Sequence, residues 1–261
     1  MKIAVFVKHV PGQAITPRIA ACGDRIDEHG LAFEANEADL YAIEEALQQR
    51  TTLGGDVTAV TIGPARAREA LHVAYAKGAD HAIHVVDEKF RGCDPLLNVQ
   101  AAALVARRIA CDMIFAGIQA EDDMLGQFGV ALGEALDLPV VTAVTGIRVD
   151  AQRRTAEVVR ELGEGFRHEL EVDLPCVLTI QFGIRPLRYM PVMSVVRARL
   201  RPIEALAIEA LGLMPDAPGA RGMRVLELRQ PPASGRCELL GGSPREMAGK
   251  LVRTLEETGI I

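Results

Sequence analysis

Over roughly the first 145 residues, continuous apolar runs alternate with helix-spaced ones. "KIAVFVK" (2–8) is apolar almost throughout, the pattern of a strand buried on both faces. In "EADLYAIEEALQQR" (37–50), Leu40, Ile43 and Leu47 fall three and four apart and so share one helix face. "DVTAVTI" (56–62) predicts a second strand. Gly63-Pro64 follows, and "ARAREALHVAYAKG" (65–78) predicts a helix, with Pro64 suited to its first position and Gly78 to its C-terminal cap. "HAIHVV" (81–86) is a third strand, and Asp94-Pro95 is a capping residue and proline opening a helix over 96–109. "DMIFAGI" (112–118) predicts a strand and "LGQFGVALGEAL" (125–136) a helix. Strands separated by helices of this length imply right-handed crossovers and a parallel sheet covered on both faces. The fold class is therefore α/β, a doubly wound, mostly parallel sheet.

The rhythm changes after Pro139. "VVTAVTGIRVD" (140–150), "TAEVVREL" (155–162) and "RHELEVDLPCVLTIQF" (167–182) predict strands with no helix between them, and Gly163-Glu164-Gly165 is a hairpin turn. They are expected to flank the main sheet as antiparallel edge strands. From Ile184 the chain is rich in Pro and Arg, "GIRPLRYMPVMSVVRARLRPI", with Val192 to Val196 expected in a loop. A Pro/Gly-rich stretch (213–222), one more strand in "MRVLELRQPP" (223–232) and a last helix from Ser243-Pro244 to about Glu257 complete the pattern. No internal repeat is visible. The division expected is an α/β domain over 1–183 and an extended C-terminal arm over 184–261, too poor in apolar residues for a core of its own. Such an arm packs on another chain.

Composition narrows the function classes. A chain of 261 residues with 49% hydrophobic and 25% charged residues is globular. A formal net charge of −6 argues against nucleic-acid binding, which needs a basic stripe, and the scarcity of aromatics leaves no base-stacking surface. No eighteen-residue apolar window predicts a membrane span, and the N-terminal apolar run is better read as a strand than as a signal segment. The five cysteines (Cys22, Cys93, Cys111, Cys176, Cys237) are scattered and never spaced CxxC, as expected of reduced thiols in the cytoplasm.

Ligands of a parallel α/β sheet lie beyond the C-terminal strand ends, near helix N-termini. Three segments arrive there: Phe6 to Val10, Ile62-Gly63-Pro64-Ala65, and Gln119 to Gly129, which carries the adjacent carboxylates Asp122 and Asp123. Glycines let backbone N–H groups approach an oxyanion, and a helix N-terminus favours negative charge. Asp123 and Gln127 could then hydrogen-bond a ribose. The plainer reading is that the two aspartates cap the next helix in a solvated turn. A hard-cation site lacks further oxygen ligands at suitable spacing, and adjacent carboxylates point apart, which disfavours an acid/base pair. GxGxxG, GxxxxGK[ST] and GxSxG are all missing. His81 and His84, three apart in a strand, face opposite sides, and His9 is read as an ordinary loop histidine. Arg197, Arg199 and Arg201 alternate with apolar residues beside Val192, Met193, Val195 and Val196. Arginines around exposed apolar residues suit a protein–protein anchor as well as a solvated face.

Several motifs together resemble the beta subunit of electron transfer flavoproteins: "VTIGPARAREALHVAYAKGADHAIHV" (60–85 with its preceding strand), "NEADLYAIEEAL" (36–47), "RYMPVMSVVRARLRPI" (188–203) and the terminal "REMAGKLVRTLEETGII". The resemblance runs nearly end to end. It implies the adenine nucleotide alpha hydrolase-like fold without hydrolysis, and a heterodimer whose alpha subunit holds the main FAD. The beta chain then binds AMP, or a second FAD in electron-bifurcating members that oxidise NADH. Family positions for nucleotide contacts fall on Phe6, Asn36, Asp39, Ile62, Gly63, Asp123, Gly126, Gln127, Phe128 and Gly129. Partner docking falls on Val192, Val195, Val196 and Arg197, with Val195 in the place of the aliphatic anchor for an acyl-CoA dehydrogenase-type donor; a downstream redox acceptor completes the path. Such a chain is an electron-carrier subunit, with oxidoreductase activity only in a bifurcating complex. Gly126-Gln127-Phe128 matches neither the AMP-type nor the bifurcating-type loop in full, and Gln13 stands where the family often has an aromatic residue near the alpha-subunit flavin. A stand-alone nucleotide-binding protein of the universal-stress type is the reading from another class; it leaves the arm unexplained.

Overall fold

The first apolar run lies at the middle of the parallel part of a sheet. In β1 (Lys2–Phe6) only Lys2 is exposed, because parallel strands flank it on both sides and helices cover both faces. The computed structural model describes residues 1–12, 16–90, 94–214, 222–223, 225–231 and 237–261; Gln13 and Cys93 lie outside the described residues. Four short strands follow, β2 (His9–Pro11), β3 (Arg18–Ile19), β4 (Ile26–Asp27) and β5 (Phe33–Ala35), with β2 antiparallel to β5 and β3 to β4. They are too short for hydrophobic alternation to announce them. Next come α1 (Glu37–Leu53), β6 (Asp56–Gly63), α2 (Arg68–Lys77), β7 (His81–Val86), α3 (Pro95–Ile109), β8 (Met113–Gly117) and α4 (Phe128–Leu136). The remainder comprises β9 (Val140–Asp150), β10 (Thr155–Glu161), β11 (Arg167–Asp173), β12 (Cys176–Ile180), α5 (Val192–Arg199), β13 (Glu204–Ala207) and α6 (Pro244–Glu257).

The main sheet has the order β11-β10-β9-β12-β8-β1-β6-β7-β13. Neighbours run parallel from β13 to β9, and β9, β10 and β11 form an antiparallel meander at one edge. α1 and α2 cover one face through Ile43, Leu47, Leu71 and Ala74, and α3 and α4 cover the other through Leu97, Val105 and Leu132. Each of the leucine, isoleucine and valine side chains among these contributes roughly 1.5–3 kcal/mol by leaving water. The expected doubly wound, mostly parallel α/β fold is what forms. Asp94 caps α3 by accepting from the Leu96 N–H (2.8 Å) ahead of Pro95, and Gly78 closes α2 at φ 120°.

Three local expectations are corrected. α4 begins at Phe128, later than residue 125, because Met124 and Gly126 sit at φ 51° and 62°, which a right-handed helix does not accommodate. Val192 to Val196, expected as a loop, lie in α5: Pro191 precedes the first turn, and Ala198 is buried with its carbonyl 3.3 Å from His72 Nδ1 of α2. The segment from 223 makes no strand among its described residues.

Residues Met1–Glu227 make one compact unit and Leu228–Ile261 a second. The segment that starts at 184 therefore returns to the sheet: β13 pairs with β7 in register Glu204 to Ile83. In the second unit, α6 opens with a capping box in which Ser243 and Glu246 bond each other's backbone N–H. Its Leu251 and Val252 are about half exposed.

Candidate functional site

Where β1 and β8 end, their ladder stops and backbone N–H groups need other partners. One carboxylate supplies them. Asp39, in the first turn of α1, accepts from the Lys8 N–H (2.8 Å) and from the Gly117 N–H (2.7 Å), joining two neighbouring strand ends. Burial pushes the Asp39 carboxyl up to about 6, against the opposing pull of these hydrogen bonds. Gly117 is required for this approach, since a Cβ there would lie 2.6 Å from both Ala38 Cβ and Asp39 Oδ1. Asn36, at the α1 N-terminus, donates from Nδ2 to the Gln119 carbonyl and accepts at Oδ1 from the Glu121 N–H, both at 3.0 Å. The start of α1 thus fixes the path of the loop beyond β8.

That loop carries the acidic pair. Lys8 Nζ donates to Asp122 Oδ1 (2.6 Å) and Asp123 Oδ2 (2.8 Å). Asp123 Oδ1 also accepts from the Leu125 N–H at 3.0 Å, which tightens the turn. Neither aspartate caps α4, whose N-cap residue Gln127 offers no side-chain bond either. The capping expectation is replaced by an ion-paired turn ahead of a helix whose first N–H groups have no side-chain acceptor. Among the described residues no group of three His, Cys, Asp or Glu side chains could hold a metal ion.

Between the strand ends and α4 lies a cleft of about 800 Å³, counting the space that opens to solvent. Phe6, Val60, Ile62 and Phe128 give it apolar walls, with the Phe6 and Phe128 rings edge to face at 5.3 Å. Asp39, Asp123, Gly126 and Gln127 give it polar ones. Asn36, Gly63 and Gly129 adjoin the cleft without lining it; a Cβ on Gly129 would lie 2.2 Å from Thr179 Cγ2, so that glycine lets α4 pack on β12. Lys8, Asn98 and the stretch Gly117 to Ala120 also line the cleft. The strand-end rule covers Lys8 and the stretch after Gly117, whereas nothing in an apolar helix pattern singles out Asn98.

The residues expected to dock a partner lie elsewhere. Val192, Met193 and Val196 are exposed on α5, Val195 less so (36%), and Arg197 stands beside them. The neighbouring arginines divide their roles. Arg199 reaches Glu69 at 3.6 Å near the surface. Arg201 turns inward, 4.0 Å over the Tyr75 ring, and donates to the Ala79 and Asp80 carbonyls. Arg185 pairs with the buried Glu45, and Arg188 Nε donates to Glu44 Oε2 (2.7 Å), whose Oε1 accepts from Lys77 Nζ at 2.8 Å. Burial works against the charge on Glu44, but Lys77 and Arg188 outweigh it and hold the carboxyl below its ordinary range. His9 has a structural environment: burial and then the Arg66 guanidinium lower it to about 4.

The electron transfer flavoprotein domain model matches residues 24–210. The chain is 31% identical over 260 residues to the electron transfer flavoprotein subunit beta of Methylophilus methylotrophus, covering 98% of both chains. The chain belongs to the electron transfer flavoprotein beta-subunit family. Other family relatives are the caffeyl-CoA reductase-Etf complex subunit CarD of Acetobacterium woodii (34% identical, 100% of both chains) and the protein FixA of Sinorhizobium fredii (31%, 98% of this chain and 89% of its own). Membership places the chain among the subunits of flavoproteins that carry electrons. Among its described residues no helix is long and apolar enough to cross a membrane.

Proposed function

We propose that this chain pairs with an electron transfer flavoprotein alpha subunit, holds an adenine nucleotide in the cleft beside Asp39, and docks an acyl-CoA dehydrogenase-type donor through α5. The observation that carries the nucleotide reading is the start of α4: its N–H groups have no side-chain cap, Gly126 sits ahead of them at φ 62°, and they border a cleft with apolar walls. Such a helix end suits a phosphate, the walls of Phe6, Val60, Ile62 and Phe128 suit a planar base, and Asp123 and Gln127 suit ribose hydroxyls. The residues present therefore fit the group. Lys8 offsets one of the two negative charges of Asp122 and Asp123, which lessens the repulsion of an anion at the turn. A main FAD held by the partner subunit would supply the redox chemistry between the donor and a downstream acceptor. This chain's own residues bind and orient: Asp39 and Asn36 fix the loop, α4 faces the phosphate, and Val192, Val195, Val196 and Arg197 offer an apolar face beside a cation. Free thiols at Cys22, Cys111, Cys176 and Cys237 support a cytoplasmic setting.

Co-expression with the alpha subunit, denaturation of the purified complex and quantification of FAD and AMP per heterodimer test this reading. One FAD with one AMP is the expected result. Two FAD without AMP would move the second flavin into the cleft and favour the NADH-oxidising, electron-bifurcating alternative. No nucleotide beyond the partner's FAD would remove the cleft assignment.

A further inference from the structure

Among the described residues only two buried side-chain polar atoms have no hydrogen-bond partner, Asn98 Oδ1 and Arg160 Nε. The Arg160 guanidinium is still held, since its Nη2 donates to Thr142 at 2.8 Å. Asn98 is different. It stands one turn inside α3, on the wall that α3 and Pro95 contribute to the cleft, and Oδ1 is closed off from solvent without a donor. A buried carbonyl oxygen left unbonded is costly, and native chains rarely keep one without a reason.

We propose that Asn98 is a ligand-reading residue of the cleft, its carboxamide meeting the edge of a heterocycle that offers an N–H donor; the inference rests on the nucleotide reading above. The chemistry of the orphan selects the class. An amide oxygen accepts and cannot donate, so its partner carries a proton. A phosphate dianion has none to give, which assigns phosphate to the start of α4 and the ring system to the α3 wall. The carboxamide pairs an acceptor with a donor, as does the edge of an adenine (exocyclic amine beside a ring nitrogen) or of a flavin (imide N–H beside a carbonyl). The apolar walls at Phe6, Val60 and Phe128 enclose such a ring and leave Asn98 to read its edge.

The test uses the co-expressed heterodimer and reads the release of AMP and of FAD into dialysate, beside the melting temperature of each complex. Asn98→Leu keeps the branching at Cγ and removes both hydrogen-bonding groups; the cleft nucleotide is expected to leave about tenfold faster. Asn98→Asp keeps an acceptor and adds a negative charge, so an N–H partner holds release within about threefold of the wild type, whereas a phosphate partner would accelerate it beyond the leucine variant. Asn98→Ser, too short to span the contact, substitutes for the leucine variant if that complex does not assemble. Whichever nucleotide is released faster names the ring, adenine of AMP or the flavin. Wild-type release from both Asn98→Leu and Asn98→Ser overturns this inference and leaves the nucleotide reading intact. Release from Asn98→Asp faster than from Asn98→Leu also overturns it. A wild-type complex with no cleft nucleotide overturns both.

Discussion

One helix holds down two irregular stretches of chain, and it does so with different chemistry at its start and at its middle. At the N-terminus of α1, Asn36 and Asp39 bond the backbone of the strand ends and of the loop beyond β8. Further along, Glu44 and Glu45 hold the stretch that leads to α5 mainly by its arginine side chains, with the Arg188 N–H adding one backbone bond to Glu44 at 3.2 Å. A carboxylate bonded to peptide N–H groups fixes the path of the main chain, as a cleft built on backbone groups requires. A carboxylate bonded to arginines, whose long stems adapt, keeps a segment near the body while leaving the outward face of α5 free. The first arrangement suits recognition of a small ligand and the second suits presentation of a surface.

The largest effect is expected at the charged anchor. Glu44→Ala would strand Lys77, itself nearly wholly buried, without its partner. A buried charge left alone costs about 3–5 kcal/mol, to be read by urea unfolding near neutral pH. A loss below about 1 kcal/mol would mean that Lys77 finds water or another acceptor, and the contrast between the anchors would weaken.

Asp39→Ala comes next, at about 2–3 kcal/mol, because the Lys8 and Gly117 N–H groups lose their acceptor. Faster nucleotide release should accompany it. The pH dependence separates the anchors by sign. Asp39 has a raised carboxyl, so its contribution is fully present below its unfolded value near 4 and is lost as pH rises through about 6. Glu44 has a lowered carboxyl, so its contribution holds above its unfolded value of about 4.5 and is lost as pH falls through the folded value. Relative to Asp39→Asn the wild type should therefore gain stability on acidification from pH 7 to 5, and relative to Glu44→Gln it should lose stability below pH 4.5. The same slope in both comparisons would contradict the distinction.

Lys8→Met is smaller in stability, under about 1 kcal/mol, since its ion pairs are partly exposed. It would leave two uncompensated carboxylates at the mouth of the cleft. Release of the nucleotide should quicken at low salt, with the difference shrinking as salt screens the charge. Release that ignores salt would remove the neutralising role of Lys8.

The elements that could be read from sequence alone share a physical property: their apolar periodicity is long enough to leave little choice. β1, β6, β7, α1, α3 and α6 are of this kind, and Asp94-Pro95 and Ser243-Pro244 announced the helix starts they make. α5 was hidden because Val192, Val195 and Val196 are β-branched, and contact with α2 overrides their low helix propensity. Arg201 could not be told from Arg197 in sequence, since an arginine turned over Tyr75 and one facing solvent occupy the same alternating pattern. The site was legible as a place, the ends of β1, β6 and β8, but not as a set of roles. Asp122 and Asp123 looked like helix caps until Lys8, 114 residues from Asp122 in the chain, arrived beside them. Contacts at that separation leave no local trace.

The smallest change in stability is expected on the face that α1 leaves free. Val195 is 36% exposed on α5, so Val195→Asp loses little packing, and the heterodimer should melt within about 1 °C of the wild type with its FAD retained. Coupling to an acyl-CoA dehydrogenase-type donor should nevertheless fall about tenfold or more, because a carboxylate would replace an apolar contact in a desolvated anchor position. Arg197→Ala, made beside it, distinguishes an apolar anchor from charge steering: removal of a rim charge slows association and reduces its salt dependence, whereas the Val195 change weakens the complex at every salt concentration. Unchanged coupling in Val195→Asp would transfer the docking role to another surface and leave α5 as a helix whose exposed valines have no partner. The cleft would be untouched by that outcome, since its anchors lie at the start of α1 and act on the backbone of the strand ends rather than through this exposed face.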